Sequence, residues 1–381
     1  MRFCTSCRRT GSQGLRRTLL RISPGFWLAG FLLAAALPLS APPAFPADTE
    51  GRAVFSLGYD DNVYDVTPTL LNPKKGDFLS RMILEGRTRF PLLPALAFSG
   101  TIWNGAEILF VKKTENRLRQ NLSLRVTHLN RFFTGNLKGT LENSFYPWKE
   151  NYYYLKPGAQ LELSRPLNPI FIVGISSDYQ FFTYHPEDNL NYHLLSWAAQ
   201  VRAQVSEQWG PQLSGGQSWH WYGSPARVLD EDGNLKIGTE DRGDAISEIS
   251  GSLSFSWKFL LKPAYSFQKG TSNGFGLSYT NHRVSLTFSY PFPTKTLLHF
   301  FTVMQVKKYG GLGAYTIWTE DRRIILADEQ DENLNAINVR VEQKINKYFS
   351  LQLNYNRYSN EFSKSRPYSK NLFFLGVRFG T

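Results

Sequence analysis

Seven basic side chains recur at alternate positions in three segments of the sequence, and their spacing suggests a common chemical role. They are Arg81, Arg87, Arg89, Arg117, Arg119, Arg125 and Lys138. In an extended chain, residues two apart point to the same face, so the members of each segment would share one charged surface. Guanidinium and ammonium groups along a water-filled wall attract anions. The spacing therefore predicts a basic wall that favours anionic solutes.

Two interpretations of this basic wall remain open. Glu85 and Glu142 are the only acids that share its parity in the same three segments, so the wall would carry a net positive charge. Alternatively, acids on other strands or an inserted loop neutralise it. Arginine on a lipid-facing surface costs about 2–4 kcal/mol at the midplane of a membrane. Under either interpretation, these side chains should point away from lipid.

Other combinations of reactive residues give weaker indications of chemistry. The six histidines are dispersed, and none has the spacing of zinc ligands. Ser218 and His220 share a parity, but a serine hydrolase needs a third group to orient the imidazole. Residues 230–234 open like a calcium-binding loop, yet Leu235 occupies the position that requires glycine. We therefore expect no catalytic residues, no metal, no cofactor and no enzymatic activity.

Apolar and polar side chains alternate with a period of two in the segments that carry these residues, and this alternation recurs along most of the chain. In residues 117–129, Leu118, Leu122 and Leu124 lie on one face, opposite polar side chains. Such segments run longer than the usual five to six residues of a strand, and their connectors alternate between short and long. This combination is typical of a transmembrane barrel, in which apolar side chains meet lipid and polar ones line the lumen.

The predicted fold is an all-β, antiparallel, up-and-down transmembrane barrel of about sixteen strands. The sequence allows any strand number from fourteen to eighteen. Residues 223–244 are predicted to be a long loop, and residues 309–334 to be a loop that could contain an extra hairpin. Six apolar side chains are predicted to face lipid. They are Leu124, Val126, Leu137, Leu141, Trp197 and Leu253.

The first 47 residues have the layout of a secretory signal peptide. Six arginines and no acid precede Asp48, and residues 26–39 form a short apolar core. This core is shorter than the roughly 20 residues of a spanning helix. We expect residues 1–47 to be removed and residues 48–381 to form the barrel.

Removal of this leader changes the bulk properties of the chain. It takes away six of the 43 basic residues and leaves 37 against 31 acidic ones, so the net charge falls from +12 to +6. Both cysteines, Cys4 and Cys7, leave with it, and no disulfide framework is expected. Export together with this modest charge argues against nucleic acid as a partner.

The first predicted strand ends in Tyr59, Asp60, Asp61 and Asn62. This ending resembles the opening of the β-barrel porin type 2 proteins, which are often found with exopolysaccharide systems. The resemblance covers about ten residues and implies an outer-membrane barrel, with a role in polysaccharide export as one option. Locally, such turn-forming residues would end a strand and begin a loop.

The expected function is passage of hydrophilic solutes, including anions or saccharides, across a bacterial outer membrane. Sixteen strands enclose an aqueous channel, whereas eight are filled by side chains. The alternative is an accessory barrel for export of polysaccharide or surface protein, with periplasmic partners, and a lipid-modifying enzyme is a distant third. We expect contacts with lipid and lipopolysaccharide and both termini in the periplasm. The oligomeric state stays open.

Overall fold

The structure is a computed structural model. It describes residues 48–63, 75–149, 152–185, 190–230, 235–309, 335–359 and 369–380. The predicted leader (residues 1–47) and nearly all of residues 309–334 lie outside the described residues.

The described residues form sixteen strands and one short 3-10 turn at Lys113–Glu115. The strands are β1 (Asp48–Asp60), β2 (Asp77–Leu93), β3 (Leu96–Leu109), β4 (Arg117–Leu129), β5 (Thr134–Phe145), β6 (Tyr153–Pro166), β7 (Phe171–His185), β8 (Tyr192–Ala203), β9 (Trp209–Leu229), β10 (Leu235–Ser256), β11 (Leu260–Ser272), β12 (Tyr279–Pro291), β13 (Thr296–Tyr309), β14 (Asn335–Lys344), β15 (Phe349–Ser359) and β16 (Ser369–Gly380).

Each strand pairs antiparallel with the next one in the chain, and β1 pairs with β16 to close the barrel. The predicted all-β, sixteen-strand, up-and-down barrel is confirmed. Among the residues that the structure describes, no helix is long and apolar enough to cross a membrane.

The predicted long loop at residues 223–244 is wrong in most of its length. β9 continues to Leu229 and β10 begins at Leu235, so two paired strands occupy most of this stretch. Its pairing shifts register between Ile237 and Gly243, which identifies a bulge. The irregularity disturbs the alternation of polar and apolar residues and conceals the strands in the sequence.

The two faces of the barrel differ in polarity as the sequence pattern predicts. Leu124, Leu137, Leu141, Trp197 and Leu253 are between 36% and 57% exposed. Val126 has the same parity and is half-buried. Large apolar side chains are therefore displayed on the outer face, and the opposite parity points into the barrel.

The short turns at one end of the barrel share a local hydrogen-bonding pattern. The Asn168 side chain accepts hydrogen bonds from the amides of Ile170 and Phe171 at 2.9 and 2.7 Å. Asn346 does the same for Tyr348 and Phe349 at 2.8 and 2.9 Å. Such side chains satisfy backbone donors in tight turns, and this explains why these hairpins close in four residues or fewer.

Candidate functional site: the inner wall of the barrel

The predicted basic wall lies on the inner face of β2, β4 and β5. Strand register places Arg81 opposite Glu107 of β3, and Glu107 opposite Arg117 of β4. Further along the strands, Arg89 lies opposite Ser99, and Ser99 lies opposite Arg125. All seven basic residues share the parity opposite to the exposed leucines. The structure thus brings them together on one curved surface.

Glu107 divides this surface into two parts because it binds two of the arginines. Its carboxylate accepts from the Arg81 side chain at 2.6 and 2.9 Å and from the Arg117 side chain at 3.0 Å. The Arg81 guanidinium also lies 3.9 Å from the centre of the Phe374 ring, on β16. Phe374 is only 1% exposed. Arg81 and Arg117 are therefore held in a partly neutralised, packed cluster.

Glu85 forms a second, partly neutralised cluster on the wall. It pairs with Arg52 of β1, and with Arg87 at 3.3 Å on its own strand. The Glu85 side chain is 11% exposed, whereas the Arg87 side chain is 57% exposed. One carboxylate cannot offset two guanidinium groups, so Arg87 still presents charge to the lumen.

The other basic side chains of the wall lack such partners. Arg125 of β4 lies directly opposite Lys138 of β5. Within the described ranges, no ion pair forms at Arg89, Arg119, Arg125 or Lys138. Asp48 is opposite Arg89 in register, yet the two do not form an ion pair. Like charges directly across a strand pair are destabilising, so the Arg125–Lys138 pair places two positive charges side by side on the inner wall at a cost to stability.

Glu107 is a residue that the sequence reasoning missed. Glu107 belongs to the third strand, whereas the residues of the predicted wall belong to the second, fourth and fifth. Its parity separates it from Ile102 and Ile108, so the alternation in β3 was the signal that could have found it. The interpretation in which acids on other strands neutralise the wall therefore holds for Arg81 and Arg117.

An aromatic cluster continues the inner wall over β6 to β9. Tyr154, Phe182 and Tyr192 are each no more than 7% exposed and pack together. The Tyr154 hydroxyl donates to Glu142 at 2.8 Å. The His220 ring lies 5.2 Å from the Tyr192 ring, centre to centre. His220 therefore belongs to a packed aromatic group. No group of three or more potential metal ligands occurs in the described part of the chain.

The motif at residues 59–62 lies where the first and last strands meet. Asp60 ends β1, as expected of turn-forming residues, and forms an ion pair with Lys370 at 3.0 Å. Asp61 accepts hydrogen bonds from the backbone and side-chain nitrogens of Asn371, both at 2.7 Å. Asn62 is fully buried and donates to the Ser369 carbonyl at 3.2 Å. These residues form a clasp, hereafter the β1–β16 clasp, at the seam of the barrel.

A groove of about 640 Å³ lies on the other face of the barrel. Its apolar lining includes Leu163, Ile175, Ala199, Leu213 and Ile249. These side chains have the outward parity of the exposed leucines. The groove is therefore separate from the basic wall.

Comparison with known proteins identifies the fold. No protein-family model matches the chain, and no curated protein sequence matches it. OmpF of Salmonella typhi, solved in complex with daunomycin, matches with a TM-score of 0.50 and 12% identity, over 88% of this chain and 97% of that one. An anion-selective porin from Comamonas acidovorans matches with a TM-score of 0.45 and 12% identity, over 88% of this chain and 99% of that one. The fold is that of outer-membrane barrel porins.

The expectation that the chain has no enzymatic activity requires correction. The matched structures include a loop-deletion mutant of OmpT, an outer membrane protein of Vibrio cholerae, with a TM-score of 0.47 and 13% identity, over 89% of this chain and all of that one. Such a match assigns no function to this chain, and one fold hosts unrelated functions. The barrel architecture therefore gives no ground for excluding catalysis, and the expectation is withdrawn.

Proposed function

We propose that this protein is a porin-like channel of a bacterial outer membrane that passes hydrophilic solutes and favours anions. The observation that carries the proposal is the Arg125–Lys138 pair, two like charges directly opposite one another on the inner wall. Arg89 and Arg119 add two more basic groups to the same surface. In a confined lumen with low-dielectric walls, their fields overlap and raise the local concentration of anions.

In each of the two clusters, one carboxylate offsets part of the charge of two arginines, which favours selectivity from the remaining part of the wall. Glu107 binds Arg81 and Arg117, and Glu85 binds Arg52 and Arg87. The basic surface that attracts anions is therefore centred on Arg119, Arg125 and Lys138. This assignment is narrower than the full set of arginines that the sequence suggests.

Replacement of Arg125 and Lys138 together by glutamine should reduce the preference for chloride over potassium without abolishing conductance. The effect should be larger at 0.01 M salt, where the Debye length is about 30 Å, than at 0.1 M, where it is about 10 Å. The measurement is the reversal potential of reconstituted channels in a salt gradient. Lys269→Gln with Lys308→Gln, which removes two charges from the outer face, is the matched control.

Glu107→Gln should change selectivity in the opposite direction. It removes the carboxylate that neutralises Arg81 and Arg117, so the preference for chloride should rise. The same reversal-potential measurement checks this prediction. Folding is checked on gels, where a closed barrel migrates differently before and after heating (the heat-dependent gel shift). A preference of the parent channel for cations would contradict an anion-selective wall. Equal reversal potentials in Glu107→Gln and in the double variant of Arg125 and Lys138 would contradict it too.

Localisation gives an independent test of the proposal. We expect the mature protein to begin near Asp48 and to fractionate with the outer membrane, with both termini periplasmic and the outer face against lipid and lipopolysaccharide. Closed barrels resist unfolding in detergent, so unheated protein should migrate differently on gels. N-terminal sequencing and membrane fractionation check this. Full-length protein in the cytosol would contradict it.

The alternative function is an accessory barrel for polysaccharide or surface-protein export. It rests on the resemblance of residues 59–62 to the β-barrel porin type 2 proteins. An accessory barrel would need periplasmic partners and would show no conductance alone. Absence of conductance from correctly folded protein, together with co-purification of periplasmic proteins, would favour this alternative over the channel.

A further inference from the structure

A second polar site lies on the inner wall formed by β9 to β12, far around the barrel from the basic wall. It is a cavity of about 250 Å³. Its inward side chains include two basic groups, one acid and several serine hydroxyls. Among them are Ser214, Glu248, Ser250, Lys262, Ser266 and Arg283.

The strand register orders these groups into a compact surface. Ser250 lies opposite Ser266, and Ser266 lies opposite Arg283. Directly opposed residues in antiparallel strands have Cα atoms roughly 4.5–5.5 Å apart, so three donors span about 10 Å. Lys262 lies four residues before Ser266 on the same strand and face. Arg283 therefore ends the row that begins at Ser250, and Lys262 lies to one side of this row along β11.

Both basic groups of the cavity are available to a ligand. Lys262 and Arg283 are exposed, and neither forms an ion pair with any other residue described in the structure. Glu248, the acid in the lining, instead accepts a hydrogen bond from Gln268 at 3.0 Å. Gln268 in turn accepts one from Asn281 at 2.9 Å. Glu248 is thus engaged with amide groups along its own row.

We propose that this cavity binds a hydroxyl-rich organic acid, with its carboxylate between Arg283 and Lys262 and its hydroxyls on the serines. Charge-assisted hydrogen bonds would hold the carboxylate. Ser214 and Ser250 already contact each other through their hydroxyls at 2.7 Å, and each hydroxyl can both donate and accept. This inference rests on the proposed channel function, through which the solute would enter the barrel. It narrows the solute to one that bears both a carboxylate and hydroxyl groups.

Isothermal titration calorimetry on the folded, detergent-solubilised protein tests this site without requiring conduction. Glucuronate should bind more tightly than acetate, because acetate lacks the hydroxyls, and more tightly than glucose, because glucose lacks the carboxylate. Arg283→Gln and Lys262→Gln should each weaken the binding of glucuronate about tenfold, which corresponds to about 1.4 kcal/mol of binding free energy. Ser250→Ala with Ser266→Ala should bring glucuronate affinity down to that of acetate.

Lys269→Gln is the matched control, since it removes a charge from the same strand but from the outer face. Its glucuronate affinity should equal that of the parent protein. Glucuronate binding no tighter than acetate or glucose in the parent protein would overturn the site even if every variant misfolds. Conductance without glucuronate binding would reject the site and retain the channel. Glucuronate binding without conductance would reject the channel and retain the site.

Discussion

Leu141→Arg should lower the free energy of unfolding by about 2–4 kcal/mol if the residue lies near the membrane midplane. Leu141 is 41% exposed on the outer face and lies opposite Leu122 and Pro157. An arginine there would place a charge against hydrocarbon. Equilibrium unfolding of protein folded into lipid vesicles measures the change.

Thr140→Arg is the matched control for this prediction. Thr140 is the preceding residue on the same strand and points to the lumen, opposite Ser123. An arginine there can reach water, so the loss of stability should be much smaller. Equal losses for both variants would mean that the assignment of inner and outer faces is wrong.

A cysteine scan gives a second measurement of the same alternation. Single cysteines at positions 137 and 141 should resist a membrane-impermeant thiol reagent, and those at positions 138 and 140 should react. Leu137 and Leu141 are exposed on the outer face, where lipid would cover them. The opposite labelling pattern would reverse the two faces.

The alternation of polar and apolar residues was sufficient to predict most of the fold. Because side chains point to opposite faces with a period of two, Leu124 and Arg125 could be assigned to different faces from the sequence alone. The alternation of short and long connectors indicated an up-and-down order of strands. The pattern failed at β9 and β10, where the register shift between Ile237 and Gly243 interrupts the period.

The candidate site was predictable in its residue types but not in its pairings. Which acid neutralises which arginine depends on the register between strands, and a single strand's pattern does not determine that register. Glu107 is ten residues from Arg117 and 26 from Arg81, so its bridging role emerges only when three strands are aligned. The same reason explains why the cavity at Lys262 and Arg283 was not foreseen.

The β1–β16 clasp was likewise beyond sequence reasoning, because it joins residues about 310 positions apart. We expect Asp61→Ala to lower the free energy of unfolding by about 1.5–3 kcal/mol, the range for hydrogen bonds to charged groups. The Asp61 carboxylate accepts two hydrogen bonds from Asn371, across the pair formed by the first and last described strands, which are not consecutive in the chain. The heat-dependent gel shift should therefore occur at a lower temperature.

Asn346→Ala is the matched control for Asp61→Ala. It separates the contribution of the β1–β16 seam to stability from the contribution that two side-chain hydrogen bonds make elsewhere. Asn346 also accepts two hydrogen bonds, but within the turn between β14 and β15. Those strands stay joined by the chain when the bonds are lost, whereas β1 and β16 are joined by pairing alone. Asp61→Ala should therefore lower the gel-shift temperature more than Asn346→Ala. Equal effects would assign the residues at 59–62 the role of an ordinary strand end, with no particular part in closing the barrel.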